Sequence, residues 1–219
     1  MLYSYNFKNQ LPVLPGIQGL TIQENFDSAF MAQLGQITLD EANQRFLDGN
    51  KAFVAYLHHK PAAFGWVALN KARIGELNHG FKLPFQHGYL WNFRTLVEFR
   101  GLGIYPHLLH YILNWGKTNL DCFWIMHAPE NKASEKGIRK AGFNFIGKVS
   151  VINSHEVIFT HENQVLPLAD ILDTFSFLKS EEDPASCWNC SSPYLKNRTP
   201  HCCCPTEETE CTQNIYNYA

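Results

Sequence analysis

The chain has 219 residues, of which 45% are hydrophobic, and a formal net charge of −2. This length suits one domain with an extension, and the apolar content suffices for a substantial core. The nearly balanced charge excludes a strongly basic surface for binding nucleic acid. A membrane-spanning helix needs about 18 consecutive apolar residues, and no apolar run approaches that length. The first residues contain no basic region followed by an apolar core. We therefore expect no secretory signal, no membrane partner and a cytoplasmic location.

The first half of the chain predicts a strand, two short helices and a β-hairpin, followed by an irregular segment. Thr38 precedes Leu39, with Glu41 at the third helical position, which is a favourable start for the second helix. The predicted bounds are 20–22 for the strand, 26–34 and 39–47 for the helices, 51–57 and 62–69 for the hairpin strands, and 71–86 for the irregular segment.

The second half predicts a strand over 89–97, a helix over 104–115, a strand over 122–127 and a closing hairpin over 143–161. One face of the helix carries apolar residues at helical spacing, which indicates core packing. A strand, one helical crossover and a second strand favour a parallel pair. Together these elements predict an α/β fold with a mixed, mainly antiparallel sheet flanked by helices.

A glycine-rich turn lies between the strand and the helix, over residues 98–106. Glycines let the backbone approach an anion, and the first amides of a helix have no partner within it. Pro106 has no N–H, so the donors must come from residues 101–105. The one-residue spacing of Gly101 and Gly103 excludes the nucleotide P-loop, and Pro106 stands where the dinucleotide fingerprint needs a third glycine. Alone, the turn is a weak signal for phosphate.

The turn is followed at regular spacing by further motifs. Arg100-Gly-x-Gly-Ile precedes a short strand, then Asn131-x-x-Ser134, then Lys140-Ala-Gly-Phe143. The combination resembles the GNAT superfamily of acyl-CoA-dependent N-acyltransferases. The resemblance is strongest over residues 89–147 and extends over residues 20–161.

This resemblance implies a GNAT-like domain over residues 1–161 that transfers an acetyl or other acyl group from acetyl-CoA to an amine of a small molecule or protein. In the family the glycine turn takes the CoA pyrophosphate, the end of the preceding strand meets the pantetheine arm, and the Asn helps to hold the cofactor. The cofactor-binding residues implied here are Leu96, Val97, Arg100, Gly101, Leu102, Gly103, Ile104, Tyr105, Asn131 and Ser134.

Two positions depart from the family pattern. Glu98 stands where a Gln or Arg is usual, and a carboxylate beside a pyrophosphate is unfavourable unless it faces away or is paired. Ile138 stands where many members carry a Tyr that protonates the leaving thiolate. The alternative function is therefore a non-catalytic CoA-binding or interaction module with a zinc-stabilised tail.

Three residues are candidates for the base that an amine acceptor requires. His87 lies thirteen residues before Arg100, the offset of a catalytic Glu in the histone-acetylating branch of the family. Glu76 lies in the irregular segment, and His127 ends the strand before Asn131. Histidine titrates near neutrality, and either a base or a water chain can deprotonate the amine.

The C-terminal part changes in composition. Residues 162–186 predict a helical linker, and 187–219 a tail with six of the seven cysteines. Without a secretory signal, such crowding favours metal over disulfides. Zinc prefers four thiolate or imidazole ligands, commonly paired at short spacing. The tail predicts the ligand set Cys187, Cys190, His201 and Cys204, with Cys202, Cys203 and Cys211 as competitors; idle thiols, disulfide exchange and lipidation are the alternatives.

Overall fold

The structure is a computed structural model that describes residues 1–8, 10–152, 156–161, 167–181 and 187–195. Within these residues nine strands form one sheet, in the order β11-β10-β9-β1-β8-β7-β4-β3-β2, and β5 pairs with β6 in a separate hairpin. The strands are β1 (Leu2–Asn6), β2 (Leu20–Asn25), β3 (Lys51–Leu57), β4 (Lys60–Ala68), β5 (Lys71–Ile74), β6 (His79–Lys82), β7 (His87–Thr95), β8 (Cys122–Met126), β9 (Asn144–Ile152), β10 (Glu156–His161) and β11 (Leu178–Lys179).

Local capping explains where several of the helices begin. The side chains of Asp27, Thr38 and Asn131 each accept a hydrogen bond from an amide in the first turn of the helix that follows. The helices are α1 (Ser28–Gly35), α2 (Leu39–Leu47), α3 (Ile104–Gly116), α4 (Lys132–Lys140), α5 (Leu168–Phe175) and α6 (Trp188–Ser191). None of the helices among the described residues is both long and apolar enough to cross a membrane.

The predicted fold class is confirmed. In the described part of the chain β7 with β8 and β10 with β11 are the parallel pairs of the large sheet, and its other pairs are antiparallel. The crossover between β7 and β8 is α3, as predicted. The closing hairpin, β9 and β10, also forms where the sequence predicts it.

Strand β1 was not among the predicted elements. This strand lies in the middle of the sheet, antiparallel to both β8 and β9. Tyr3 is opposite Ile125 on one side and Phe145 on the other. Its first four residues are all buried, so β1 lacks the alternation of a half-exposed strand, and its partners are far away in the chain.

Two further expectations about secondary structure were wrong. Residues 71–86 are not irregular, because β5 and β6 form a hairpin there, joined by a 3-10 turn at Gly75–Leu77. The strand predicted over 89–97 runs instead over His87–Thr95, and a 3-10 turn follows at Val97–Phe99.

The sheet buries both of its faces. Leu90 and Ile125 pack on α3 and α4 on one face, which we call the helix face. Tyr89 and Trp124 pack on the opposite face with α5, β6 and Trp188, and α1 and α2 cover another part of that face, which we call the tail face. Side chains alternate between the two faces along each strand.

The core does not end at residue 161, where the sequence analysis placed the end of the domain. Ile171 and Phe175 of α5 are fully buried in the cluster on the tail face, and Trp188 of α6 belongs to the same cluster. The described parts of the predicted linker and tail therefore pack as components of the same folded unit.

Candidate cofactor and acceptor site

The glycine turn has the geometry that a phosphate loop requires. Gly101 and Gly103 have φ of 79° and 78°, in the left-handed region that disfavours any residue with a Cβ. Gly103 precedes α3, and within the described residues no side chain caps the start of this helix. The amides of Ile104 and Tyr105 belong to the unpaired first turn, where the helix dipole favours an anion.

The backbone between β7 and the glycine turn already forms hydrogen bonds within the protein. The N–H of Leu96 donates to the Ala62 carbonyl at 2.9 Å, and the Val97 carbonyl accepts from the N–H of Arg100 at 3.3 Å. Arg100 is exposed, and its Nε donates to the Thr95 carbonyl at 3.2 Å. Leu96 and Val97 thus take part in backbone hydrogen bonds of their own, and their contact with a pantetheine arm stays a prediction.

A cleft opens where the two parallel strands of the sheet diverge. The β7–β8 pairing extends from His87 opposite Cys122 to Leu90 opposite Ile125, and β7 then continues to Thr95. A cavity of about 710 Å³ lies at this divergence. Its lining includes Tyr105, Asn131 and Ser134 from the helix face, and Arg45, Glu76, Trp188 and Tyr194 from the tail face. The cavity therefore joins the two faces of the sheet.

On the helix face, Tyr105 lies between the two elements of the predicted cofactor site. Its hydroxyl lies 3.4 Å from Ser134 Oγ, and its ring lies 5.6 Å from that of Phe93. A Cβ on Gly137 would lie 2.3 Å from the Tyr105 ring, so this glycine makes room for the ring. Burial raises the pKa of Tyr105 above its usual value. The cleft therefore contains a hydroxyl that stays protonated at neutral pH.

Asn131 has a structural role and also faces the cleft. Its Oδ1 accepts from the N–H of Ser134 at 3.0 Å and so caps α4. The side-chain Nδ2 is not used by the cap. Asn131 and Ser134, both predicted cofactor residues, lie on the same wall of the cleft as Tyr105.

His127 is the candidate base whose ring lies in the cleft at the end of β8. The residue is only 5% exposed, and its Nδ1 lies 2.7 Å from the Ala128 carbonyl, so Nδ1 carries the proton and donates it. Its Nε2 is buried and has no partner among the described residues. Burial lowers the pKa of His127 to about 3. The imidazole is therefore neutral and presents a lone pair on Nε2.

The other two candidate bases lie in different places. Glu76 is half-buried in the turn between β5 and β6, lines the cleft, and has no ion-pair partner in the described part of the chain. His87 lies at the start of β7, about 13 Å before Trp91 at the usual strand rise. Its Nδ1 accepts from the Trp124 indole at 3.0 Å, and burial lowers its pKa. His87 is not part of the cleft lining, so this position does not support a role as base.

Ile138 lies in α4 and is 0% exposed, in the cluster between the helix face and the sheet. The position at which many family members carry a tyrosine therefore does not reach the cleft in this chain. Tyr105, whose ring packs on the adjacent Gly137, places a hydroxyl near that part of α4 instead.

An arginine that the sequence analysis missed lies on the tail face of the cleft. The Arg45 guanidinium lies 5.1 Å from the Trp66 ring and 4.6 Å from the Trp91 ring, and pairs with Glu41 at 2.8 Å. Cation–π contacts of this kind are strongest when the cation is shielded from water. The residues come from α2, β4 and β7, so their proximity leaves no motif in the sequence.

The predicted zinc site falls largely outside the described residues. Cys187 is buried at the start of α6, whereas His201, Cys204 and the side chain of Cys190 are not described. Within the described residues no group of three or more His, Cys, Asp or Glu side chains is placed to hold a metal ion. The zinc ligand set stays a prediction.

The sequence model of the Acetyltransferase (GNAT) family matches residues 20–143, which is more than half of the chain. A search of curated proteins found no significant match.

Several solved structures are similar to this chain. A GCN5-related N-acetyltransferase from Kribbella flavida is 12% identical, with a TM-score of 0.44 over 65% of this chain and 52% of its own. An acetyltransferase from Clostridium acetobutylicum, solved with acetyl-CoA, is 16% identical and has a TM-score of 0.43. The match covers 61% of this chain and 96% of that protein. An aminoglycoside acetyltransferase from an uncultured soil metagenomic sample, in complex with sisomicin, is 10% identical and has a TM-score of 0.46. The match covers 61% of this chain and 94% of that protein.

This chain spans about half the length of the Kribbella flavida protein. The similarities to solved structures are too distant to support an argument about substrate.

Proposed function

Because the chain belongs to the acetyltransferase (GNAT) family, we propose that it is an N-acetyltransferase that transfers the acetyl group of acetyl-CoA to a primary amine. The observation that carries this proposal is the cavity at the divergence of β7 and β8, which joins the helix face to the tail face. Two substrates can enter such a cavity from opposite faces and meet within it. Holding two reactants in this way supplies much of the rate of a bimolecular transfer.

The helix face suits the cofactor. The glycine turn and the first amides of α3 suit the pyrophosphate, and Asn131 and Ser134 stand beside it on α4. The exposed Arg100 adds a positive charge at the mouth of the turn. The thioester would then lie toward Tyr105 and the open end of β7, where strand amides polarise its carbonyl.

The tail face suits the amine. Beside Tyr3 on the helix-face side of the cavity, His127 offers its unpartnered Nε2 as a hydrogen-bond acceptor for the amine that reaches through from the tail face. The Glu76 carboxylate attracts the ammonium form of the acceptor and takes up its proton through water. The neutral amine nitrogen then attacks the thioester carbon, and the tetrahedral adduct loses its second N–H proton to water. The carbon–sulfur bond breaks, and the sulfur leaves with the bonding electrons.

Tyr105 is the group on the helix face that meets this developing negative charge. Its raised pKa means that it holds its proton more tightly than a thiol does. We therefore assign it a hydrogen bond to the departing sulfur rather than complete proton transfer. The thiolate is protonated afterwards from water.

The alternative function, a non-catalytic CoA-binding module, is favoured by one observation. Ile138 is buried in the core, so the general acid of many family members is absent from its usual place. A module of this kind would bind CoA and acetyl-CoA but release no thiol in the presence of amines. The same experiment therefore separates the two functions.

The experiment combines two measurements on the full chain. Thermal denaturation with CoA and acetyl-CoA measures binding, since a ligand that binds the folded state raises the melting temperature. Thiol release from acetyl-CoA with a panel of primary amines then measures transfer. We expect both a higher melting temperature and amine-dependent thiol release. A higher melting temperature without thiol release supports the non-catalytic module. An unchanged melting temperature contradicts cofactor binding itself.

A further inference from the structure

We propose that residues 187–195, which we call the tail wall, select the acceptor, and that the acceptor is a primary amine attached to an aromatic body. This inference rests on the proposed function and names its substrate class. Trp188, Tyr194 and Leu195 of the tail wall line the cleft on its tail face. They lie beyond residue 143, where the match to the family model ends.

A buried carboxylate attaches the tail wall to the loop that precedes α4. Glu130 is 0% exposed, and its two carboxylate oxygens accept from the backbone N–H of Trp188 at 3.1 Å and of Asn189 at 2.8 Å. Hydrogen bonds to a buried charged group are stronger than neutral ones. Glu130 immediately precedes Asn131, which lines the cleft from the helix face, so one loop positions both walls of the cleft.

Two further hydrogen bonds hold the tail wall against the sheet and against the turn between β5 and β6. The Trp188 indole N–H donates to the Val149 carbonyl at 2.7 Å. The Ser192 hydroxyl donates to the carbonyl of Glu76. The second contact joins the tail wall directly to the residue whose side chain would attract the amine. The position of the wall and the position of the carboxylate are therefore linked.

The chemistry of this end of the cleft points to an arylalkylamine, in which an alkyl chain separates the amine from the ring. Trp188 and Tyr194 contribute aromatic surface from the tail wall, and Trp91 contributes it from β7. Tyr194 is 36% exposed, so part of its ring is open to a substrate in the cleft. Among the described residues the Glu76 carboxylate has no cation of its own, whereas Arg45 is already paired with Glu41. A cationic amine on an aromatic body satisfies both the unpaired carboxylate and the rings.

The test uses two probes that share an aminoethyl group and differ by one phenyl ring, 2-phenylethylamine and ethylamine. We expect the full chain to acetylate 2-phenylethylamine with the higher kcat/KM. Tyr194→Ala should reduce the ratio of the two kcat/KM values by about tenfold, because it removes apolar contact made only by the ring. Acetyl-CoA should raise the melting temperature of wild type and variant equally.

Tyr111→Ala is the matched control. Tyr111 is 38% exposed, lies on α3 against Phe53, and does not line the cleft. This variant should keep the wild-type ratio. Glu130→Gln tests the positioning of the wall: it should raise KM for 2-phenylethylamine while leaving the KM for acetyl-CoA unchanged. If that variant fails to fold, Ser192→Ala tests the same point at the contact with Glu76.

The outcomes separate the inference from the function on which it rests. If acetyl-CoA does not stabilise the protein, or no amine yields thiol, the proposed function fails. If amines are acetylated but ethylamine equals or exceeds 2-phenylethylamine, the inference alone fails. An unchanged ratio in Tyr194→Ala also overturns it, as does an equal loss in Tyr111→Ala.

Discussion

The Tyr105 hydroxyl lies 3.4 Å from Ser134 Oγ, across the interface of α3 and α4. This contact joins the first turn of the helix that follows the glycine turn to the first turn of the helix that Asn131 caps. It sets the hydroxyl in the wall of the cleft, where the thioester would lie. In this chain a tyrosine of α3 thus occupies space that is available because Gly137 of α4 has no side chain.

Tyr105→Phe should lower kcat by about 10²-fold, because the ring packing is retained while the hydrogen bond to the departing sulfur is lost. The dissociation constant of acetyl-CoA should change little. Steady-state thiol release and a binding titration measure the two quantities. Ser134→Ala removes the hydrogen-bond partner of Tyr105 but keeps the Tyr105 hydroxyl, so it should lower kcat less than Tyr105→Phe does. Equal losses in both variants would argue for a structural role of Tyr105.

Gly103→Val should abolish the stabilisation by acetyl-CoA, because a β-branched residue is strained at a φ of 78° and its side chain would crowd a pyrophosphate. Thermal denaturation with and without acetyl-CoA measures this. Gly16→Val is the control: Gly16 has no left-handed φ, and a Cβ there would meet no atom within 4 Å. A Gly103 variant that is folded and still stabilised by acetyl-CoA would place the cofactor elsewhere.

His127→Gln should change the pH dependence of stability. The pKa of His127 is about 3 in the folded protein, against about 6.5 when unfolded. The folded state therefore keeps this group neutral, and stability that is present above pH 6.5 is lost as the pH falls toward 3. The loss reaches at most about 1.4 kcal/mol per pH unit for one proton.

Urea denaturation at pH 7.5 and pH 5.5 measures the free energy of unfolding in both proteins. The decrease between the two pH values should be smaller in His127→Gln than in the wild type. His87 and His110, whose pKa values burial also lowers, contribute equally to both proteins and cancel in the comparison. Identical decreases would show that His127 is not held neutral by burial.

Ile138→Tyr should destabilise the protein rather than supply a general acid. Ile138 is fully buried, and a larger side chain there forces the core apart at a cost of about 1–3 kcal/mol. Ile138→Val keeps the shape and should cost only about 0.5–1.5 kcal/mol. Chemical denaturation measures both, and thiol release should not rise in either. A stable, more active tyrosine variant would contradict the placement of residue 138 in the core.

The elements that the sequence predicted well are those with local signals. The apolar face of α3, the cap of α2 by Thr38 and the closing hairpin all follow from residues near one another in the chain. β1 was missed because its partners, β8 and β9, are more than one hundred residues away and because it is buried without alternation. β5 and β6 were missed because each is only four residues long.

The cofactor side of the site was predictable from spacing, whereas the acceptor side was not. Gly101, Gly103 and Asn131 occur at the motif spacing, and the structure brings them to neighbouring helix starts. Among the candidate bases, an offset in the sequence favoured His87. The direction of β7 places that residue at the far end of the strand, and His127, which directly follows β8, lines the cleft instead. Which end of β7 reaches the cleft depends on how the strands assemble into the sheet, and an offset in the sequence does not contain that information.

Direct detection of the acetylated amine tests the central claim, that a cofactor on one face of the sheet transfers its acetyl group to an amine on the other. The full chain is incubated with acetyl-CoA and 2-phenylethylamine, the acetylated product is quantified by mass spectrometry, and the CoA thiol is titrated in the same sample. We predict one acetylated amine for each thiol released, with both lost in Gly103→Val. Thiol release without acetylated amine, or neither product from a protein that acetyl-CoA stabilises, would contradict the account.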